Sequence, residues 1–412
     1  MGNQAVTKIL SDLDSTRAER EELLKHFHQH PELSLQEYET SARIRAELEA
    51  AGIEVHSVGK TGLVAIVENG EGPVVAMRGD IDALPVKEVS GKDYASTAEQ
   101  EDEKTGQTFA VSHACGHDFH IMSLLSALKF YNSHKDAWAG TYVGVFQPAE
   151  EIAAGAQEMV DAGIAEVMPK PDVYLGQHVI AVTPGGTVAS KPGTIFTAAS
   201  SIRVKVYGKG SHGSMPQLSV DPVVLASAIV TRLQTIVGRE IAPNDMGVVT
   251  VGAIHAGTKS NIIPDDAELL INTRAYDKDV EAHMHEAIER IVRAECEAAR
   301  SPKEPEFEYY DIYPLTSNHQ EPFEQVRAVF DDFFGDDSVD IDPVSASEDF
   351  SIVPDSMDVP YVYWCVGGFE DWKNAPGNHN PAFAPDLQPT LDRGVEAAVV
   401  AASAWLVKNE DA

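Results

Sequence analysis

The stretch His113-Ala114-Cys115-Gly116-His117-Asp118-Phe119-His120 concentrates three imidazoles, a thiol and a carboxylate. Thiolate, imidazole and carboxylate are the donors that hold zinc and its neighbours. A polar loop capping a helix through Asp118 is the plainer reading, and Cys115 alone reads as a small buried residue. Beside His117 it reads better as a ligand. A second candidate is Phe146-Gln147-Pro148-Ala149-Glu150-Glu151, where adjacent carboxylates follow an apolar run. Such a pair can divide labour, one carboxylate binding a metal and the other moving protons, although an isolated Glu-Glu pair is usually surface. Gln177-His178 and Asn378-His379 each add an imidazole that, taken singly, is ordinary. Asp80 and Asp82, within Arg78-Gly79-Asp80-Ile81-Asp82-Ala83-Leu84-Pro85, could orient a ligand imidazole or simply form a polar turn. Gly208-Lys209-Gly210-Ser211-His212-Gly213-Ser214 sets a histidine in a glycine-rich loop able to close over a ligand. Ser260-Asn261 and Arg274 could offer the amide and basic groups that a carboxylate substrate requires.

These residues need elements to hold them. Ser34 and Glu37 read as a capping-box pair opening a helix from Ser34 to Gly52. Short apolar runs at Leu63-Val67 and Val74-Met77 read as buried strands, the second feeding a polar loop that starts at Arg78. Asp118-Phe130 reads as a helix, Tyr142-Phe146 as a strand, Ala153-Ala162 as a helix ended by Gly163, and Val173-Leu175 as a strand. This alternation predicts an α/β layered domain, in which ligands gather beyond the carboxyl ends of strands. Asp80 and Asp82, Gln147-Glu151, and His178 are then expected after three successive strands. From about residue 190 the texture changes. Ile202-Tyr207, a helix at Asp221-Val237, Gly247-Ile254, Ala267-Thr273, a helix at Val280-Ala299 and Phe307-Tyr310 follow the ferredoxin-like order. Phe323-Phe334 (helix), Tyr361-Val366 (strand) and Leu391-Leu406 (helix) resume the first texture.

At 412 residues the chain is long enough for two domains, and 43% hydrophobic residues suffice for cores. The net charge of -34 repels nucleic-acid phosphates and anionic lipid, so neither is an expected partner. The three cysteines, Cys115, Cys296 and Cys365, are too scattered for a disulfide framework. No apolar run is long enough for a membrane span, and the start MGNQAVTKILSDLDSTRAER lacks the features of a signal peptide, so a soluble cytoplasmic protein is expected.

The motifs RGDIDALP, HACGHDFH, QPAEE, GQH, GKGSHGSMP, SNIIPD and NHNPAF, in this order over most of the chain, resemble the M20 metallopeptidase family. Within it they resemble the amidohydrolase branch of aminoacylases, hippurate hydrolases and auxin-conjugate hydrolases. The resemblance implies an α/β catalytic domain with a central mixed β-sheet flanked by helices, formed by residues 1–189 and 312–412. It implies an inserted ferredoxin-like α+β lid and dimerisation domain over residues 190–311. Cys115, His117, Glu151, His178 and His379 would be metal ligands and Glu150 the general base. Asp82 would prop a ligand. His212 would reach the partner subunit's site in a homodimer, which could pair further, and Asn261 and Arg274 would hold the substrate carboxylate. The peptidase branch bridges its metals with an aspartate and uses a histidine in an HxD motif. Here Asp80 and Asp82 stand in that motif, and the resemblance gives the bridging role to the Cys115 thiolate. Two divalent ions are implied, zinc by the donor set, with manganese or cobalt as alternatives. The implied reaction is hydrolysis of N-acyl amino acids by metal-activated water with Glu150 as base. A dipeptidase or carboxypeptidase and a non-catalytic binder of acyl amino acids are the rival readings.

Overall fold

The apolar runs assemble into one eight-stranded mixed sheet in the computed structural model, which describes residues 2–407. Its strands are β1 (Glu54–Val58), β2 (Gly62–Asn69), β3 (Val74–Asp80), β4 (Gly140–Gln147), β5 (Val173–Pro184), β6 (Val188–Ser190), β7 (Ser338–Asp340) and β8 (Tyr361–Phe369). They lie in the order β1-β2-β4-β3-β5-β8-β6-β7. The central strands β4, β3, β5 and β8 run parallel. Such strands are covered on both faces, which is why they read as continuous apolar runs. The register sets Asp80 beside Gln147 and His178 beside Cys365, so three chemistry-bearing segments come to one edge of the sheet.

The main covering helices are α1 (Gly2–Ile9), α2 (Arg17–Gln29), α3 (Tyr38–Ala50), α4 (His117–Ser133), α5 (Gln320–Phe334) and α6 (Leu387–Leu406). Helix α4 is buried on nearly every side. Each of its fully buried leucines, Leu124 and Leu128 among them, contributes about 1.5–3 kcal/mol relative to an exposed position. The backbone of β3 approaches α4 so closely that a Cβ on Gly79 would lie 3.0 Å from the His120 carbonyl oxygen. The small-residue face of α6 lies near α4, and the Tyr131 hydroxyl donates to the Val399 carbonyl at 2.8 Å.

By contact density this sheet and its helices form one unit, Met1–Ile195 with Ser317–Asp342 and Asp349–Ala412. A second unit comprises Phe196–Thr316 and Pro343–Glu348. It is a four-stranded antiparallel sheet in the order Gly247–Ala256, Asp266–Ala275, Ala198–Tyr207, Glu306–Tyr313. Helices Pro222–Leu233 and Lys278–Ala299 pack against it around a separate core that includes Ile202, Val204, Leu269 and Ile288. Asp221 and Asp277 cap those helices, each accepting two backbone N–H groups. The β-α-β-β-α-β order expected from sequence is the observed one.

Several local expectations are corrected. The helix expected from Ser34 begins at Tyr38, and no capping box forms: the Ser34 hydroxyl donates to Asp82 Oδ2 at 2.7 Å, while Glu37 turns toward Thr61 and Ala149. The polar loop expected from Arg78 is instead the end of β3, because Arg78, Asp80 and Asp349 neutralise one another in the interior. His178 sits inside β5, which runs on to Pro184, rather than after a strand. The helix expected over Asp221-Val237 breaks at Gln234, where the Thr235 hydroxyl takes the Arg232 carbonyl at 2.7 Å in competition with the backbone ladder.

Candidate metal centre

Gly116 makes the turn into α4. Its φ of +82° is a left-handed value, and a Cβ there would lie 2.3 Å from Val179 Cγ1, so glycine alone fits between Cys115 and His117. The turn delivers His117 at the first position of α4 and leaves Cys115 just before it. The loop carrying His379 is tied to the same turn, His379 N–H donating to the Ala114 carbonyl at 2.7 Å. Glu150 and Glu151 open a short 3-10 turn between Ala149 (φ 49°) and Ala153 (φ 51°), both left-handed without being glycine. Such backbone persists only where its surroundings fix it. Here Glu37 accepts the Ala149 N–H at 2.9 Å, Asp82 accepts the Glu151 N–H at 3.1 Å and Asp349 accepts the Ala156 N–H at 3.1 Å.

These turns converge. Cys115 Sγ lies 3.5 Å from His178 Nε2, and His379 Nε2 lies 3.2 Å from Glu151 Oε2. His117 Nε2 is 3.7 Å from Glu151 Oε1 and 3.9 Å from Glu150 Oε2. Donor atoms of Cys115, Glu151 and His379 lie within 4.8 Å of one another, as do those of His117, Glu150 and Glu151. His117 Nδ1 donates to Asp82, 3.0 Å from its carbonyl oxygen and 3.2 Å from Oδ1, and His178 Nδ1 donates to the Val179 carbonyl at 2.8 Å. In the neutral ring that a metal requires, each bond would fix the tautomer that turns an Nε2 lone pair toward the cluster.

The buried atoms His117 Nε2 and Glu151 Oε1 have no hydrogen-bond partner. Leaving two such atoms dry is costly, and a cation among thiolate, imidazole and carboxylate donors would satisfy both. The electrostatics agree. Burial opposes charge on His117, but Asp80, Asp82 and Cys115 outweigh it and hold its pKa well above the usual value. Hydrogen bonds to Cys115 and Glu151 raise His379 to about 10. Surroundings that hold protons this tightly equally favour a metal ion. His178 moves the other way, burial holding its pKa well below the usual value.

The structure thus gathers Cys115, His117, Glu150, Glu151, His178, His379 and Asp82 into one place. In the second unit His212 and Asn261 lie together: His212 pairs with Ile262 across a two-residue ladder, and Gly213 N–H donates to the Asn261 carbonyl at 2.8 Å. Arg274 is separate from them, its Nη1 donating at 2.9 Å to the Ser345 carbonyl and to the Ser347 hydroxyl.

Sequence reasoning missed the support beneath the site. Arg78 donates to Gln147 (3.0 Å) and Asp80 (2.6 Å), Gln147 donates to Asp349 (2.7 Å), and all four are buried. Below α4, His28 bridges Asp118 (2.8 Å) and Glu88 (3.1 Å). Burial, reinforced by the charge of Asp82, pushes the Glu37 carboxyl up to about 8. The available signal was charged residues inside apolar runs, as at Arg78 and Asp80.

Residues 76–403 match the model of the peptidase family M20/M25/M40. The chain is 33% identical over 365 residues to an N-acetylcysteine deacetylase of Bacillus subtilis, covering 88% of this chain and 90% of that protein. It is 33% identical over 387 residues to thermostable carboxypeptidase 2 of Saccharolobus solfataricus, covering 92% and 94%. Among solved structures, the Bacillus subtilis YXEP protein, described as a dinuclear metal-binding peptidase, superposes with a TM-score of 0.76 at 28% identity, over 94% of this chain and 98% of that one.

Proposed function

Since this chain belongs to the M20/M25/M40 peptidase family and is a metal-dependent amidohydrolase, we propose that it hydrolyses N-acyl amino acids to a carboxylic acid and a free amino acid. The observation that carries this reading is the convergence of thiol, imidazoles and paired carboxylates around His117 Nε2 and Glu151 Oε1, which have no hydrogen-bond partner. In this reading Cys115, His117, Glu151, His178 and His379 hold two divalent ions, zinc in preference to manganese or cobalt. When bound, such ions polarise a carbonyl and acidify water.

The remaining steps belong to side chains. Glu150, at the mouth of its 3-10 turn, takes a proton from the attacking water and returns it to the leaving amine. Asp82 orients His117 through Nδ1 and steadies the Glu151 backbone, holding two ligands with one carboxylate. To His212, by resemblance, we assign the hydrogen bond to the developing oxyanion of the partner's site in a homodimer built through the second unit. By the same resemblance we assign the substrate carboxylate to Asn261 and Arg274, which lie apart within one subunit and would be supplied to it by different subunits of that homodimer. Arg274 adds a local basic group in a chain of net charge -34. The deacetylase relative supports acyl amino acids as the substrate class. The carboxypeptidase relative keeps peptide cleavage as the second reading.

Release of amino acid from a panel of N-acyl amino acids and dipeptides, with a chelated control, tests this. Chelator-sensitive release from acyl amino acids with dipeptides poor supports the proposal, and the reverse preference moves it to peptide cleavage. Glu150→Gln should lower kcat by roughly 10²–10⁴-fold while metal content stays unchanged. A near-normal rate in that variant would remove Glu150 from its role.

A further inference from the structure

His120 lies buried among the proposed ligands yet has both nitrogens engaged elsewhere. Its Nδ1–H donates to Asp80 Oδ1 at 2.5 Å, and its Nε2 accepts the Val179 backbone N–H at 2.9 Å. An imidazole that donates at one nitrogen and accepts at the other is a neutral spacer of fixed tautomer. Asp80 is anchored in turn, its Oδ2 accepting from Arg78 Nη1 at 2.6 Å. The backbone pairing of β3 with β5 runs from Val75/Val173 to Arg78/Gly176, short of Val179. The chain Arg78, Asp80, His120, Val179 therefore joins the two strands by side chains past the point where their ladder ends.

Val179 is the residue on which His178 leans. Its carbonyl accepts His178 Nδ1–H at 2.8 Å and Asn378 Nδ2–H at 3.2 Å, so it orients one histidine directly and touches the loop of another. We propose that Asp80 and His120 form a positioning clamp: by gripping the Val179 N–H they fix the backbone that sets the tautomer and direction of His178, without binding metal themselves. The inference rests on the reading of His178 as a ligand. The competing account makes His120 a ligand, since donor atoms of Asp80, His117, His120 and His178 all lie within 4.8 Å of one another.

The test compares wild type with His120→Leu, His120→Gln, Asp80→Asn and His178→Ala. It reads Zn2+ affinity by chelator competition, Co2+ stoichiometry and absorption spectrum, and hydrogen exchange of the segment containing Val179. A glutamine carboxamide can accept from Val179 with its oxygen and donate to Asp80 with its NH2, so it rebuilds the clamp. The expected result is that His120→Leu loses roughly 10–100-fold in Zn2+ affinity with stoichiometry kept and exchange at Val179 faster. His120→Gln should restore most of both, and Asp80→Asn should fall between. Wild-type affinity in His120→Leu, with His178→Ala impaired, overturns the clamp alone. Loss of one Co2+ equivalent in both His120 variants overturns it in favour of a ligand role. Unchanged affinity in His178→Ala overturns the ligand reading and the clamp with it.

Discussion

At the scale of single residues, the surroundings of His117 and His379 favour the protonated imidazoles, so a metal held there as proposed would compete with protons. Both have pKa values raised by the neighbouring negative groups, so each binds a proton through neutral pH in the metal-free protein. Metal affinity should fall as pH is lowered, and binding at pH 7 should release protons, which calorimetry in buffers of different ionisation enthalpy will read. The His28 cluster supplies a separate pH effect. Burial opposes its charge, but Asp118 and Glu88 outweigh burial and raise its pKa to about 10 from 6.5. Its contribution is therefore complete below about pH 6.5 and lost as pH rises to about 10. Asp118 and Glu88, depressed by the same contacts, lose theirs as pH falls below the ordinary carboxylate range. The gap in Tm between wild type and His28→Leu should thus narrow steadily from pH 7 to pH 10; a constant gap would mean that His28 acts through packing. The residue types of the proposed metal centre were legible because most of them fall in short runs. His28 with Asp118, and Arg78 with Asp349, were not, because partners 90 and 271 residues apart leave no local pattern.

At the scale of elements, the turn into α4 is the narrowest fit at the site. Gly116→Ala would combine a left-handed φ with a Cβ 2.3 Å from Val179 Cγ1. Strain of roughly 1–2 kcal/mol and overpacking of about 1–3 kcal/mol should lower the denaturation midpoint, with metal affinity falling in step. A midpoint equal to that of wild type would show that β5 yields at Val179. The strands and α4 were readable because hydrophobic runs, periodicity and glycine punctuation agree there. The start of α3 misled because Ser34 and Glu37 have capping-box spacing while their side chains are recruited by Asp82, Thr61 and Ala149. Arg78 misled because a charge in a sequence suggests solvent, whereas here Asp80 and Asp349 travel into the core with it. Local rules fail at these points because the site has claimed the residues for other contacts.

At the scale of the whole molecule, a net charge of -34 at pH 7 loads the folded state with self-repulsion. Added salt shortens the screening length from about 8 Å at 0.15 M to about 3 Å at 1 M, so Tm should rise with potassium chloride over that range. A falling Tm would show that paired surface charges outweigh the repulsion. The order in which the chain supplies the centre has a further consequence. Val179 and Asn378 touch although 199 residues separate them, and the whole Phe196–Thr316 segment lies between. A ribosome adding about 5–20 residues per second needs about 10–40 s to cover that distance. Throughout that interval the nascent polypeptide displays Cys115, His117, Glu151 and His178 without His379. The proposed ligand set is accordingly complete only once His379 has been made, so metal insertion into it would come late in synthesis.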